Sequence, residues 1–304
     1  MQKTHKPQGF AIVTHGGAGE PLAFTDGCEH AARSGRDKFF ETGDPLDAAV
    51  AAVKALEEDE RFNAGTGSVL CLDGATIEMD ASIMDTRGRL GAIAAVRDVR
   101  NPVALARAVA DTPHVLLAGE GAERFARAMG LPHARPILDS QREKHRKLLE
   151  ELAGSVPVMP GVDNRMFERF WNYKTPLQLP ASKSCDTVGA VVRAPDGHFA
   201  VAGSTGGSSP SLLGRVGDTA IVGAGFYAGT AGAVAATGIG EHIVRHMLAR
   251  TVYGWIEDGM PLQQALQRGI DLFDKDVDVG LIAVTRLEAG SCSNKDMPTA
   301  RIEE

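Results

Sequence analysis

The chain lacks the marks of several function classes. Its 304 residues hold only four cysteines, Cys28, Cys71, Cys185 and Cys292, scattered and without a CxxC pair. That excludes a zinc knuckle or a dense disulfide framework and fits a reducing compartment. Basic residues form no stripe, and the formal charge is −7, so neither a nucleic-acid backbone nor an anionic membrane is an expected partner. No apolar run is long enough to span a bilayer. The polar residues 1–9 lead into a stretch too short for a signal-peptide core, which makes the cytoplasm the expected location.

What is present is a 43% hydrophobic composition, enough for one sizeable core. A β-prone run at 10–14 enters the glycine turn His15-Gly16-Gly17-Ala18-Gly19. A helix is expected from about Cys28. Asp44 and Pro45 then make an N-cap and first-turn pair for a second one to about Leu56. Asp73-Gly74, between strand-like runs at 68–72 and 75–82, predicts a hairpin, and so does Asp196-Gly197 between 187–192 and 198–202. Helices are expected at 102–109, 141–152, 239–257 and 261–273, and strands at 279–285 and around 300–302. Prolines interrupt every period between 153 and 185, which reads as a linker. Hairpins in each half with helices grouped after them predict an α+β fold of stacked, mainly antiparallel sheets covered by helices.

Three clusters can carry chemistry. Thr187 opens a strand directly after the irregular segment; a cut before it frees an α-amine, and a threonine with its own amine as base needs no histidine. The bland alternative is a β-branched strand residue. In Gly214-Arg215-Val-Gly-Asp218, an Arg and an Asp three apart in a glycine loop can hold the carboxylate and ammonium of an α-amino acid, or form a surface ion pair. Thr237-Gly238-Ile-Gly240-Glu241 offers N–H groups and a hydroxyl to an oxyanion, or only caps a helix.

Together these motifs are far more specific than any one of them. Thr187-Val-Gly-Ala-Val, Ser204-Thr205-Gly-Gly207, Gly214 to Asp218, Val222-Gly-Ala-Gly225 and Thr237 to Glu241, preceded by Thr14 to Gly19, Phe62-Asn63-Ala-Gly-Thr-Gly67 and Glu78-Met-Asp80-Ala, resemble the plant-type asparaginase and isoaspartyl peptidase family along nearly the whole chain. The resemblance implies a four-layer αββα N-terminal-nucleophile fold, a single domain over 1–304. It also implies autocleavage between Asp186 and Thr187 into an α subunit, 1–186, with its linker at 153–185, and a β subunit, 187–304. Thr187 would be nucleophile and base, with Thr205 bonded to its hydroxyl and Thr237 and Gly238 as the oxyanion hole. Arg215 and Asp218 would grip the substrate ends, Gly238 and Gly240 would close the pocket, and Asn63, in the loop that resembles the family's sodium-binding segment, would join the substrate-binding residues. The reaction implied is hydrolysis of β-aspartyl dipeptides or L-asparagine to L-aspartate, without a catalytic cofactor, in a homodimer of αβ units. A structural sodium ion would rest on the carbonyls of Leu56, Glu57, Asp59, Phe62, Ala64 and Thr66.

Two departures stand out: Asp186 replaces the glycine of many isoaspartyl peptidases, as in the glycosylasparaginase branch, and 208–213 lacks the family wording. Glycosylasparaginase, and a non-catalytic binding relative, are the alternatives. Competing readings are weaker. Gly16 to Gly19 lacks the full dinucleotide spacing. Glu78 and Asp80 as a glycosidase pair compete with solvated strand neighbours. His242 and His246 lack a third metal ligand, so an exposed helix face is expected. His15 is expected to bond backbone.

Overall fold

A computed structural model describes residues 9–152, 163–174 and 187–304; Asp186 and the remainder of the expected linker lie outside the described residues. The order is β1 (Ala11–His15), α1 (Thr25–Thr42), α2 (Pro45–Glu58), β2 (Met79–Asp85), β3 (Leu90–Val96), α3 (Pro102–Val109), β4 (Leu116–Ala118), α4 (Gly119–Ala128), α5 (Asp139–Leu152) and α6 (Arg165–Arg169). There follow β5 (Thr187–Arg193), β6 (Phe199–Thr205), β7 (Phe226–Gly229), β8 (Gly232–Gly238), α7 (Gly240–His246), α8 (Leu248–Glu257), α9 (Leu262–Ile270), β9 (Val279–Thr285), β10 (Ala289–Ser293) and β11 (Thr299–Glu303). None of the described helices is long and apolar enough to cross a membrane.

These elements build the expected αββα sandwich. The larger sheet runs β11-β1-β5-β6-β2-β3-β4 and the smaller β10-β9-β8-β7, antiparallel except for β3 with β4. Strand residues alternate between two covered faces. Val188, Ala190 and Val192 of β5 meet Leu46, Val53 and Leu56 of α2 in one core. Val191 points the other way, into the cluster between the sheets with Phe199, Phe226, Ile282 and Val284. A third core sets Val234 and Leu281 against Leu248, Val252 and Leu266 of α8 and α9. Each such side chain contributes about 1.5–3 kcal/mol relative to exposure. Asp44 caps α2 as expected, accepting from Leu46 N at 2.8 Å, with Pro45 at the first helical position.

Several expectations need correction. Asp73-Gly74 turns the chain, but 68–72 forms no ladder with 75–78; the hairpin is β2 with β3. The helix expected over 239–257 breaks at Met247, whose φ is 44°. It breaks because the first amides of α8, on Ala249 and Arg250, bond the carbonyls of Ala224 and Gly223 instead. Part of the expected linker is ordered: 163–174 carries α6 and buries Phe167 and Tyr173.

Candidate active site

Thr187 is the first residue of β5, buried, and directly opposite Thr205 in the β5–β6 register. Thr237, at the end of β8 in the other sheet, meets it from across the sandwich. The Thr237 hydroxyl accepts from Thr187 N at 3.4 Å and from Ala18 N at 3.4 Å, and donates to Thr187 O at 3.3 Å. One rotatable hydroxyl can do both. It does not cap a helix, since α7 starts only at Gly240 and its N-cap, Ile239, makes no side-chain bond. Gly238 follows at φ 129°, where a Cβ would strike the carbonyl of Asp278.

The Thr187 Oγ lies 3.2 Å from the Oγ of Thr219, a residue the sequence reading passed over. Its signal was its place immediately after Asp218. Thr205 Oγ accepts from Gly207 N at 3.1 Å, which turns the chain away from the end of β6.

Arg215 and Asp218 come together around Gly240, whose Cβ would lie 2.8 Å from both an Arg215 nitrogen and Asp218 Oδ1. Burial pushes the Asp218 carboxyl up to about 7, and its Oδ2 has no hydrogen-bond partner among the described residues. Arg215 forks onto Glu241, 2.9 Å at both contacts. Burial pushes the Glu241 carboxyl up, but the guanidinium outweighs it and leaves the carboxyl below its ordinary range. The pair is partly buried, with 17% of the Arg215 side chain and 41% of that of Glu241 exposed.

Glu78 and Asp80 are neither solvated nor paired with each other. Glu78 accepts from Gly214 N at 2.6 Å and from Arg97. Asp80 accepts from Gly217 N at 3.1 Å and Ala95 N at 2.8 Å, where β2 and β3 slip register and Ala95 takes φ 51°. Both carboxylates thus fix the loop that carries Arg215. Asn63 does the same on the other side, donating to Gly207 O at 2.8 Å and accepting from Val69 N at 2.9 Å.

Around Asn63 the chain makes tight turns. The carbonyls of Leu56, Asp59, Phe62 and Ala64 each accept one backbone hydrogen bond, which leaves a lone pair on each. Cβ atoms at Gly65 and Gly67 would press on the carbonyls of Glu57 and of Phe62 and Glu60. Among the described residues no His, Cys, Asp and Glu group could hold a metal.

His15 differs from expectation. It is fully buried against Gly189, neither ring nitrogen has a partner among the described residues, and burial pushes its pKa down to about 3. The Gly16 and Gly19 amides bond Pro298 and Asp296, and both neighbours of β1 are antiparallel, so no dinucleotide-binding βαβ unit exists there. His242 is half-buried and His246 exposed, the latter beside the Phe273 ring.

The asparaginase family model matches residues 8–302. A plant-type L-asparaginase of Pyrococcus horikoshii is 41% identical over 291 residues, spanning 90% of this chain and 89% of that protein. One from Pyrococcus abyssi is 40% identical, spanning 97% and 96%. An isoaspartyl peptidase/L-asparaginase of Macaca fascicularis is 39% identical, spanning 90% and 86%. With its sandwich fold, the threonine pair bridging both sheets and this likeness end to end, the chain belongs to the asparaginase family.

Proposed function

We propose that the protein is an autoproteolytically activated threonine amidohydrolase that releases L-aspartate from β-aspartyl dipeptides, L-asparagine or both. Cleavage before Thr187 yields chains 1–186 and 187–304, and the new α-amine is the base for Thr187 Oγ. Arg215 holds the substrate α-carboxylate and Asp218 the α-ammonium, while Gly238 and Gly240 leave room for the aspartyl chain. Thr187 Oγ adds to the side-chain carbonyl, and its proton passes through the amine to the leaving nitrogen. Thr237 Oγ and the Gly238 amide receive the oxyanion. Thr205 orients the nucleophile. Water then hydrolyses the β-aspartyl ester.

One observation carries this reading. The Thr187 hydroxyl lies 3.2 Å from that of Thr219, the residue after Asp218, and the buried Asp218 carboxyl keeps one oxygen without a partner among the described residues. An α-ammonium supplies what that oxygen lacks. Asn63 holds the edge of the loop through Gly207, and the carbonyls of Leu56, Glu57, Asp59, Phe62, Ala64 and Thr66 would hold a structural sodium. A cytoplasmic homodimer of αβ units completes the proposal. The Asp186-Thr187 sequence keeps glycosylasparaginase as the second reading.

Intact-mass analysis of the purified protein beside Thr187→Ala tests it. Two fragments meeting at 186 and 187, absent from the variant, with hydrolysis lost by at least about 10³-fold, are expected. Full activity in Thr187→Ala overturns the mechanism, and assays with L-asparagine, a β-aspartyl dipeptide and glycosylasparagine separate the branches.

A further inference from the structure

The loop 206–214 joins Thr205, opposite the nucleophile, to Arg215, and its wording departs from the family pattern. Both of its ends are pinned from the body of the fold: Gly206 N and Gly207 O by Asn63, Gly214 N by Glu78. Ser209 donates to Leu70 O, and the stretch 211–213 is held by residues 163–174. Asn172 makes a reciprocal pair with the backbone of Leu213, donating to its carbonyl at 2.9 Å and accepting from its amide at 3.0 Å. Tyr173 donates its phenol to Ser211 O at 2.8 Å. Beneath these bonds Phe167, Tyr173, Cys71 and Leu72 form a separate apolar cluster, against which Trp171 and Leu213 pack.

This contact crosses the proposed cut. Residues 163–174 belong to the chain that ends at 186, and the loop belongs to the chain that begins at Thr187. A segment tethered only by its link to Thr187 would gain freedom once that link was broken. One with three directed hydrogen bonds and two buried aromatic rings has its own reasons to stay.

We infer that residues 163–174 are a strap that remains docked on the second chain after cleavage and positions the 206–214 loop, and through it Arg215, for the substrate carboxylate. The inference rests on the cleavage proposed above. The strap residues touch no reacting atom: Asn172 and Tyr173 are positioning residues, so their loss weakens substrate capture more than turnover.

Hydrogen exchange by mass spectrometry on the cleaved enzyme, with peptides covering 163–174 and 206–214, tests this in the wild type and in Asn172→Ala/Tyr173→Phe. Slow exchange of both peptides is expected in the wild type, and in the variant both should speed up by about tenfold. The KM for L-asparagine and for a β-aspartyl dipeptide should rise about fivefold, with kcat within about twofold and the melting temperature lowered by no more than about 3 °C. A strap peptide exchanging at unstructured-chain rates in the cleaved wild type overturns the inference. So does a variant whose strap is released while KM stays the same. A chain that remains whole by intact mass fails the cleavage reading instead, and the coupled response of the two peptides still decides whether the strap holds the loop.

Discussion

Asp196-Gly197 closes β5 onto β6 so that every residue from Thr187 to Arg193 has a partner between Phe199 and Thr205, while Asp73-Gly74 supports a single rung, Cys71 N to Thr76 O at 2.8 Å. Both glycines take the left-handed conformation, at φ 87° and 66°, and both aspartates accept backbone amides two residues on. The turn chemistry is therefore the same. What differs is where the arms send their backbone groups. The 68–72 arm is already engaged by side chains: Gln141 donates to Ser68 O, Val69 N donates to Asn63, and Ser209 donates to Leu70 O. A dipeptide can start a hairpin, but a ladder needs two arms with free backbone.

Breaking the β1–β5 ladder, on the other side of β5, should have the largest effect. Gly189 in β5 has the His15 ring where its Cβ would be, so Gly189→Ala should destabilise by about 3 kcal/mol, read by urea unfolding. Wild-type stability in that variant would mean that the β1–β5 contact yields more readily than its packing implies.

Asp218 sharpens the contrast as a third case, a buried polar group with an oxygen that no backbone or side chain among the described residues satisfies. Its folded pKa is about 7 against an ordinary 3.8. Below about pH 4 both states are protonated and nothing is lost; as pH rises the unfolded state ionises first, so stability falls until the cost is complete above about 7. Asp218→Asn should therefore melt roughly 3 °C above the wild type at pH 8 and no higher at pH 4, while hydrolysis is lost. Equal melting temperatures at pH 8 would refute that sign.

The smallest effects compare the turns directly. Asp73 accepts from Ala75 N, Thr76 N and the Thr76 hydroxyl, so Asp73→Ala should cost about 2 kcal/mol. Asp196 accepts from His198 N and from Arg87 on an exposed surface, and Asp196→Ala should cost about 0.5 kcal/mol by the same denaturation assay. A reversed order would show that the ladder depends on its turn.

Local chemistry made much of this legible. The Asp44-Pro45 start of α2, Pro102 at the start of α3 and the β5–β6 hairpin carry their causes within a few residues. The small sheet was harder to read, since β8, Gly-Ala-Val-Ala-Ala-Thr-Gly, has little β-branched content and is shaped by tertiary cover. The same limit hid the burial of Glu78, Asp80 and His15. In a sandwich both faces of the larger sheet are covered, so alternation does not tell which polar residue is inside. Thr219 escaped because its importance is a contact with a residue 32 positions away.

The strand order also has a mechanical meaning. β1, from the first part of the chain, lies between β11 and β5, both from the last part, and β6 lies against β2. Three separate ladders thus cross the position of the proposed cut. Removing one peptide bond before Thr187 leaves the two chains interleaved like the fingers of clasped hands. Activation by that proposed cut would be irreversible in covalent terms while costing the sheet none of those ladders, and the two chains would exchange partners only by opening all three.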